Sequence, residues 1–236
     1  MGIVAKAVNL VFPRRCPVCD DITMPFGRLV CDTCKGKIKY ITDPACLKCG
    51  KQIQEEEKEF CRDCAGKEHF YIRGRALYEY HSMSDSISRF KYAGRREYAT
   101  FYGQDMTEKL GEQILQWKPQ ALIPVPIHVT RRRVRGYNQS ELLAGALSAG
   151  LQIPMKADLI RRSRKTVPQK ELNPAERQNN LKRAFKICGN DVKLNTIVIV
   201  DDIYTTGSTI DAMAQTLKKA GVTNVYYVAL SIGNGL

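Results

Sequence analysis

The sequence predicts an α/β fold, a mainly parallel sheet flanked by helices, with a small cysteine-rich module ahead of it. Three observations predict it. Eight of the nine cysteines fall in four Cys-x-x-Cys pairs between Cys16 and Cys64. Beyond residue 68, short apolar runs alternate with segments of helical periodicity, the pattern of strands buried on both faces by crossover helices. One of those runs ends in two adjacent acids and a Thr-rich turn that opens a helix. A chain of 236 residues suits one α/β domain plus a small module, and we place the division at 1–67 and 68–236. With 44% hydrophobic and 26% charged residues the composition is that of a globular core, which excludes a largely disordered chain.

The module opens with Ile3, Val4, Ala7, Val8, Val11 and Phe12, which fall on one face of a short docking helix. The four pairs follow: Cys16/Cys19, Cys31/Cys34, Cys46/Cys49 and Cys61/Cys64, with 11 residues between each pair and the next. Without a secretion signal, this ladder points to metal rather than disulfides. A two-residue gap lets both sulfurs of a knuckle face one ion, and two knuckles complete a tetrahedral thiolate site suited to zinc. Such a site has no open position, so two structural zinc ions are expected, supplying the folding energy that so small a module cannot draw from a core. The even spacing allows neighbouring knuckles to share an ion, or alternate knuckles in a cross-brace. We favour the sequential arrangement, because an 11-residue insert forms a hairpin between two knuckles. A redox dithiol remains a weaker reading, and the usual ferredoxin runs are not spaced this way. Cys188 stands alone and reads as a strand or loop residue.

In chain order, Glu68–Tyr80 is aromatic and alternating and reads as a strand. Ser84–Lys118 is helical, and Ala121–Pro126 is a buried strand ending in prolines. Asn138–Ala149 is a helix, Asn195–Val200 the clearest buried strand, and Ser208–Ala220 a helix stopped by Gly221. Val222–Ser231 is a last strand. Asp201 and Asp202 then stand at the carboxyl end of a buried strand, where ligands of open α/β sheets bind. Thr205, Thr206, Gly207, Ser208 and Thr209 form the turn into the helix. Backbone N–H groups, hydroxyls and the helix N-terminus together suit a phosphate, and Gly207 permits close approach. The two carboxylates suit neighbouring hydroxyls, as on a ribose, or a magnesium ion. A plain strand–helix turn with capping hydroxyls would use the same residue types, but does not call for two acids directly after an apolar strand.

This string resembles the binding motif for phosphoribosyl pyrophosphate (PRPP) of type I phosphoribosyltransferases. The resemblance implies that Asp201 and Asp202 contact the ribose hydroxyls and that Thr205 to Thr209 hold the 5-phosphate, with magnesium accompanying PRPP. Two further segments resemble the ComF family in particular, which joins a double zinc ribbon to a type I phosphoribosyltransferase domain. The first runs from Pro124 to Ala144 and carries Pro-Val-Pro and Arg-Gly-Tyr-Asn-Gln, with Tyr137 where Phe is commoner. Arg131, Arg132, Arg133 and Arg135 beside Gly136 read as a cationic loop at a helix start, suitable for pyrophosphate, and the resemblance implies that Arg135, Gly136, Tyr137 and Asn138 occupy the pyrophosphate-loop position. The second, Arg164 to Phe185, implies a mobile hood in which Arg164, Lys165 and Arg177 neutralise charge. Lys91-Tyr92 also stands in a family position.

The net charge is +13, and between Arg131 and Lys186 there are 14 Lys/Arg against 4 Asp/Glu. Such a field suits phosphate-rich ligands, although charge runs are often solvated faces. Arg131, Arg132 and Arg133 are the candidate nucleic-acid contacts. The family resemblance implies natural competence, handling of single-stranded DNA and a DNA helicase partner. An active phosphoribosyltransferase working on an unidentified small-molecule acceptor is the alternative. No apolar stretch is long enough to span a bilayer. The N-terminus makes a poor signal peptide and lacks a myristoylation pattern, Lys6 standing where Ser or Thr is needed. A cytoplasmic location is expected.

Overall fold

The computed structural model describes residues 13–25, 27–55, 57–163, 184–189 and 193–233. The expected docking face from Ile3 to Phe12 lies outside them, as do Arg164, Lys165 and Arg177. The elements are α1 (Asp32–Lys35), β1 (Gly74–Glu79), α2 (Tyr80–Tyr92), α3 (Tyr98–Gln116), β2 (Ala121–Pro124), α4 (Val129–Arg135), α5 (Gln139–Leu151), β3 (Ile160–Arg162), β4 (Phe185–Ile187), β5 (Thr196–Tyr204), α6 (Ser208–Lys219) and β6 (Asn224–Ile232). Four strands form the main sheet in the order β1-β6-β5-β2, every pairing parallel. Strands β3 and β4 form a separate antiparallel pair.

Alternation along the parallel strands divides their side chains between two cores. Leu122, Val198, Val200, Val228 and Leu230 pack with α2, α3 and α5 on one face. Ala121, Ile123, Ile197, Ile199, Val225, Tyr227 and Ala229 pack with Ile210, Met213, Ala214 and Leu217 of α6 on the other. The cysteine ribbons straddle the sheet in the same way: Cys16, Cys31 and Cys34 join the first core, and Cys46, Cys49, Cys61 and Cys64 join the second. Strand β1 begins with glycine because the Tyr227 ring lies across it, and a Cβ at Gly74 would stand 1.9 Å from that ring.

Most expected elements are present, with three corrections. The helical stretch Ser84–Lys118 is two helices that break at Gly94, which has φ 69°. The Arg-rich segment expected as a cationic loop is helix α4, capped by the His128 side chain accepting from Thr130 N and closed by left-handed Gly136. Strand β5 continues four residues beyond Val200, because Ile203 and Tyr204 still pair with Ser231 and Ile232 of β6. The two acids are therefore inside the strand, and the turn is correspondingly tight. Cys188 follows β4 and is exposed.

Candidate functional site

The carboxyl ends of β2 and β5 and the start of α5 converge on Asp201. Its side chain is buried, and Oδ1 accepts hydrogen bonds from Ser140 Oγ at 3.1 Å and from Asp202 N at 2.9 Å. Burial first, and the neighbouring Asp202 charge second, push the Asp201 carboxyl up to about 7. Asp202 faces the other way and pairs with Lys91 Nζ at 3.0 Å, at the end of α2. The two carboxylates thus occupy different environments, one held among neutral donors and one against a cation.

Three residues beyond Asp202 the chain turns into α6. Thr205 is exposed, and the Thr206 and Ser208 hydroxyls lie 2.9 Å apart. Gly207 has φ 78° and serves as the N-cap, and a Cβ there would meet Tyr204 Oη at 2.4 Å. Only glycine satisfies both conditions. The first N–H groups of a helix have no intrahelical partner, so this end of the 12-residue α6 presents donors as a phosphate site requires.

The cationic side is built by α4 and β3. The Arg135 guanidinium stacks on Tyr92, 4.7 Å from the ring centroid, and donates to Tyr92 Oη and Gln139 Oε1. Tyr137 and Asn138 are buried and spend their polar groups on the protein. Tyr137 Oη donates to Phe90 O, while Asn138 donates to Val125 O and caps α5 by accepting from Ser140 N. They shape this loop rather than line it. Of the Arg-rich helix, Arg132 pairs with Glu141 at 2.7 Å and Arg133 is exposed.

Three residues stand here without a role read from the sequence. Ser140 reads as a helix-start residue, yet it holds Asp201 across 61 positions. Lys91 was marked only by its family position. Arg162 sits on β3, partly buried over the Phe185 ring. Burial, and then the nearby Arg131 charge, lower its guanidinium to about 10, with Asp201 opposing. The signal for Arg162 is a strand pairing between segments far apart in sequence, which no local pattern carries.

The eight paired cysteines gather into two clusters, Cys16/Cys19/Cys31/Cys34 and Cys46/Cys49/Cys61/Cys64. Within each cluster the sulfurs lie within 4.8 Å of one another, and Cys49 and Cys61 Sγ are 3.6 Å apart. Tetrahedral zinc with bonds of about 2.3 Å would separate its sulfurs by about 3.8 Å. Both clusters are therefore of a size and donor type that fit structural zinc, and the grouping is sequential rather than cross-braced.

Comparisons with known proteins agree with this organisation. A family described as double zinc ribbon domain matches residues 7–65, and one described as phosphoribosyl transferase domain matches residues 138–232. Competence protein F of Haemophilus influenzae is 31% identical over 83% of this chain and 87% of its own length. Competence protein ComFC of Bacillus subtilis is 29% identical over 81% of this chain and 79% of its own. DNA utilization protein YhgH of Escherichia coli O157:H7 is 40% identical over 45% of this chain and 47% of its own. With its ribbons, its parallel sheet and a relative this similar over most of both lengths, the chain belongs to the competence protein F family.

Proposed function

We propose that this protein binds PRPP with magnesium through residues 197–209 and takes part in handling single-stranded DNA, with zinc holding both ribbons. The observation that carries the ligand is the continuous run of β5, Asp201, Asp202 and the loop into α6. Thr205, Thr206, Gly207, Ser208 and Thr209 would take the 5-phosphate. Asp201 and Asp202 would take the ribose hydroxyls, and Arg135 with the main chain of the turn that Tyr137 and Asn138 hold, together with Arg162, would face the pyrophosphate. Magnesium would neutralise the pyrophosphate and polarise its bond to the ribose.

Release of Asp202 is part of the reading. Lys91 pairs with the Asp202 carboxylate, so pyrophosphate would compete for Lys91 and leave Asp202 to ribose or metal. No residue here is placed as a base. The chain's contribution to any transfer would be positioning and charge stabilisation around a cationic ribose. We assign the acids ribose and metal positioning, and the basic surface at Arg131 and Arg133 a contact with nucleic acid. Competence and DNA utilization in the names of the relatives support the DNA-handling half. No helix among the described residues is long and apolar enough to cross a membrane, and we place the protein in the cytoplasm, where thiolates stay reduced.

The test is calorimetric titration of the zinc-loaded protein with PRPP and magnesium, beside the Asp201→Asn/Asp202→Asn double variant. Binding by the wild type that the variant loses supports the reading. Absence of binding at every magnesium concentration removes the PRPP assignment and leaves a DNA-binding adaptor. Pyrophosphate release on addition of an acceptor would convert the reading into that of an active phosphoribosyltransferase.

A further inference from the structure

A buried histidine lies between the second tetracysteine site and the phosphate loop. The His69 side chain is only 1% exposed. Its two ring nitrogens reach opposite partners. Nε2 is 3.7 Å from Cys64 Sγ, and Nδ1 is 2.7 Å from Asp211 Oδ2. Asp211 stands in the first turn of α6 and its N–H donates to Gly207 O, so it belongs to the same turn as the loop. Its second oxygen accepts from Phe70 N at 3.0 Å. Two neighbours of His69 reach the loop and the strand end that precedes it. Lys67 Nζ donates to Thr206 O at 3.1 Å, and the Tyr71 and Tyr204 hydroxyls are 2.7 Å apart.

Burying an imidazole costs free energy unless its nitrogens are engaged, and here each is engaged by a different part of the protein. A metal-bound cysteine is a thiolate, and an ionised acceptor holds a hydrogen bond more strongly than a neutral one. A filled second site therefore grips His69 more firmly than an empty one, and His69 in turn fixes Asp211. Outer-shell partners of this kind orient metal ligands and influence how tightly the metal is kept.

We infer that His69 and Asp211 are positioning residues through which a filled second tetracysteine site orders the phosphate loop. The ligand-level consequence rests on reading that loop as the PRPP site: metal and ligand strengthen each other, because such coupling is reciprocal. The first site has a different neighbourhood. Its knuckle is held by Arg89, Arg95 and Tyr98 of α2 and α3 and their junction.

The test uses the full chain loaded with zinc and reads two quantities that need no ligand. One is the rate of zinc release from each site to a chromophoric chelator, the phases being assigned with Cys19→Ser. The other is amide hydrogen exchange in the peptide spanning 204–211. His69→Ala should speed release from the second site by about 10–100-fold, leave the first unchanged, and raise exchange in the loop. Two conservative variants divide the connection. His69→Gln can keep an amide near Nε2, so release should stay slow while loop exchange rises. His69→Asn can keep one near Nδ1, so loop protection should hold better while release quickens. Asp211→Asn added to His69→Ala should add little to loop exchange, since both act along one connection. Unchanged release and exchange in His69→Ala would overturn the inference, as would equal acceleration at both sites, which would report general loosening. PRPP with magnesium should slow release from the second site of the wild type only. If calorimetry shows no PRPP binding while loop exchange still follows His69, the ligand assignment fails and the connection stands.

Discussion

In the first ribbon the residue four positions past the opening cysteine is Asp20, and in the second it is Gly50. Both are left-handed, with φ of 63° and 69°, and both donate to the carbonyl of that cysteine at 2.8 Å. From this shared turn the two ribbons attach differently. Asp20 offers a carboxylate, which accepts from Tyr98 Oη at 2.5 Å and from Arg95 Nη2 at 2.9 Å, while Arg89 donates to Val18 O at 2.8 Å. Gly50 offers no side chain, and a Cβ there would meet Gly74 O at 2.6 Å. The second ribbon instead joins by main chain, Gly74 N donating to Lys48 O and Tyr227 Oη to Cys49 O. One module is pinned by half-exposed charges at a helix pair; the other is fused to the sheet edge. The spacing of the cysteines is identical, so the difference lies entirely in what each turn meets.

The largest effect should come from deleting ligands. Cys46→Ser/Cys49→Ser should lose one of two zinc equivalents and PRPP binding together, whereas Cys16→Ser/Cys19→Ser should lose one equivalent and retain binding. Structural zinc is worth on the order of 10 kcal/mol in a small module, so both should also lower the melting temperature. Equal loss of PRPP affinity in the two variants would erase the contrast.

Next in size is the turn itself. Gly50→Ala combines positive φ with a backbone clash and should cost about 3 kcal/mol in denaturant unfolding. Asp20→Gly keeps the turn, loses the ion pair, and should cost about 1 kcal/mol. A reversed order would mean that the charges, not the close approach, hold the ribbons.

The two ribbons can also be separated from the loop by pH. Asp201 is raised above its unfolded value, so its contribution to stability is complete below about 4 and is lost as pH rises to about 7. Asp20 has the opposite sign. Burial opposes its ionisation, but hydrogen bonds from Arg95 and Tyr98 hold its carboxyl below the usual range. Its contribution is present above 3.8 and disappears as pH falls through the depressed value. Asp201→Asn should therefore gain in melting temperature over wild type as pH rises from 5 to 8, while Asp20→Gly should show no such gain. The smallest effect is Arg95→Gln, with a loss of about 1 kcal/mol or less that shrinks with added salt.

What could be read from the sequence divides along the distance between partners. The four cysteines of one cluster span at most 19 residues, and the strand, the two acids and the Thr-rich turn form one uninterrupted run. Both were legible, because spacing and order carry them. The partners of those groups were not. Ser140 meets Asp201 across 61 residues, Lys91 meets Asp202 from another helix, and His69 meets Asp211 across 142. From sequence the Arg-rich segment reads as a loop because its charge hides a helical turn capped by His128, and Val129 and Val134 are exposed, so no apolar face announces it. Tyr137 and Asn138 belong to a recognisable signature, but only the structure shows that their polar atoms are turned inward. Local chemistry was visible; what steadies it was not.

The order of the sheet has a consequence for how the molecule comes into being. Strand β6 lies between β1 and β5, so β1 has no neighbour in the main sheet until residues 224–232 have been made. The cysteines of each ribbon can gather as soon as they leave the ribosome, since they are close in sequence, while the edge they rest on waits for β6. During synthesis the second ribbon is thus a finished part held beside an open seam, which β6 closes only after β1 and β5 have been made.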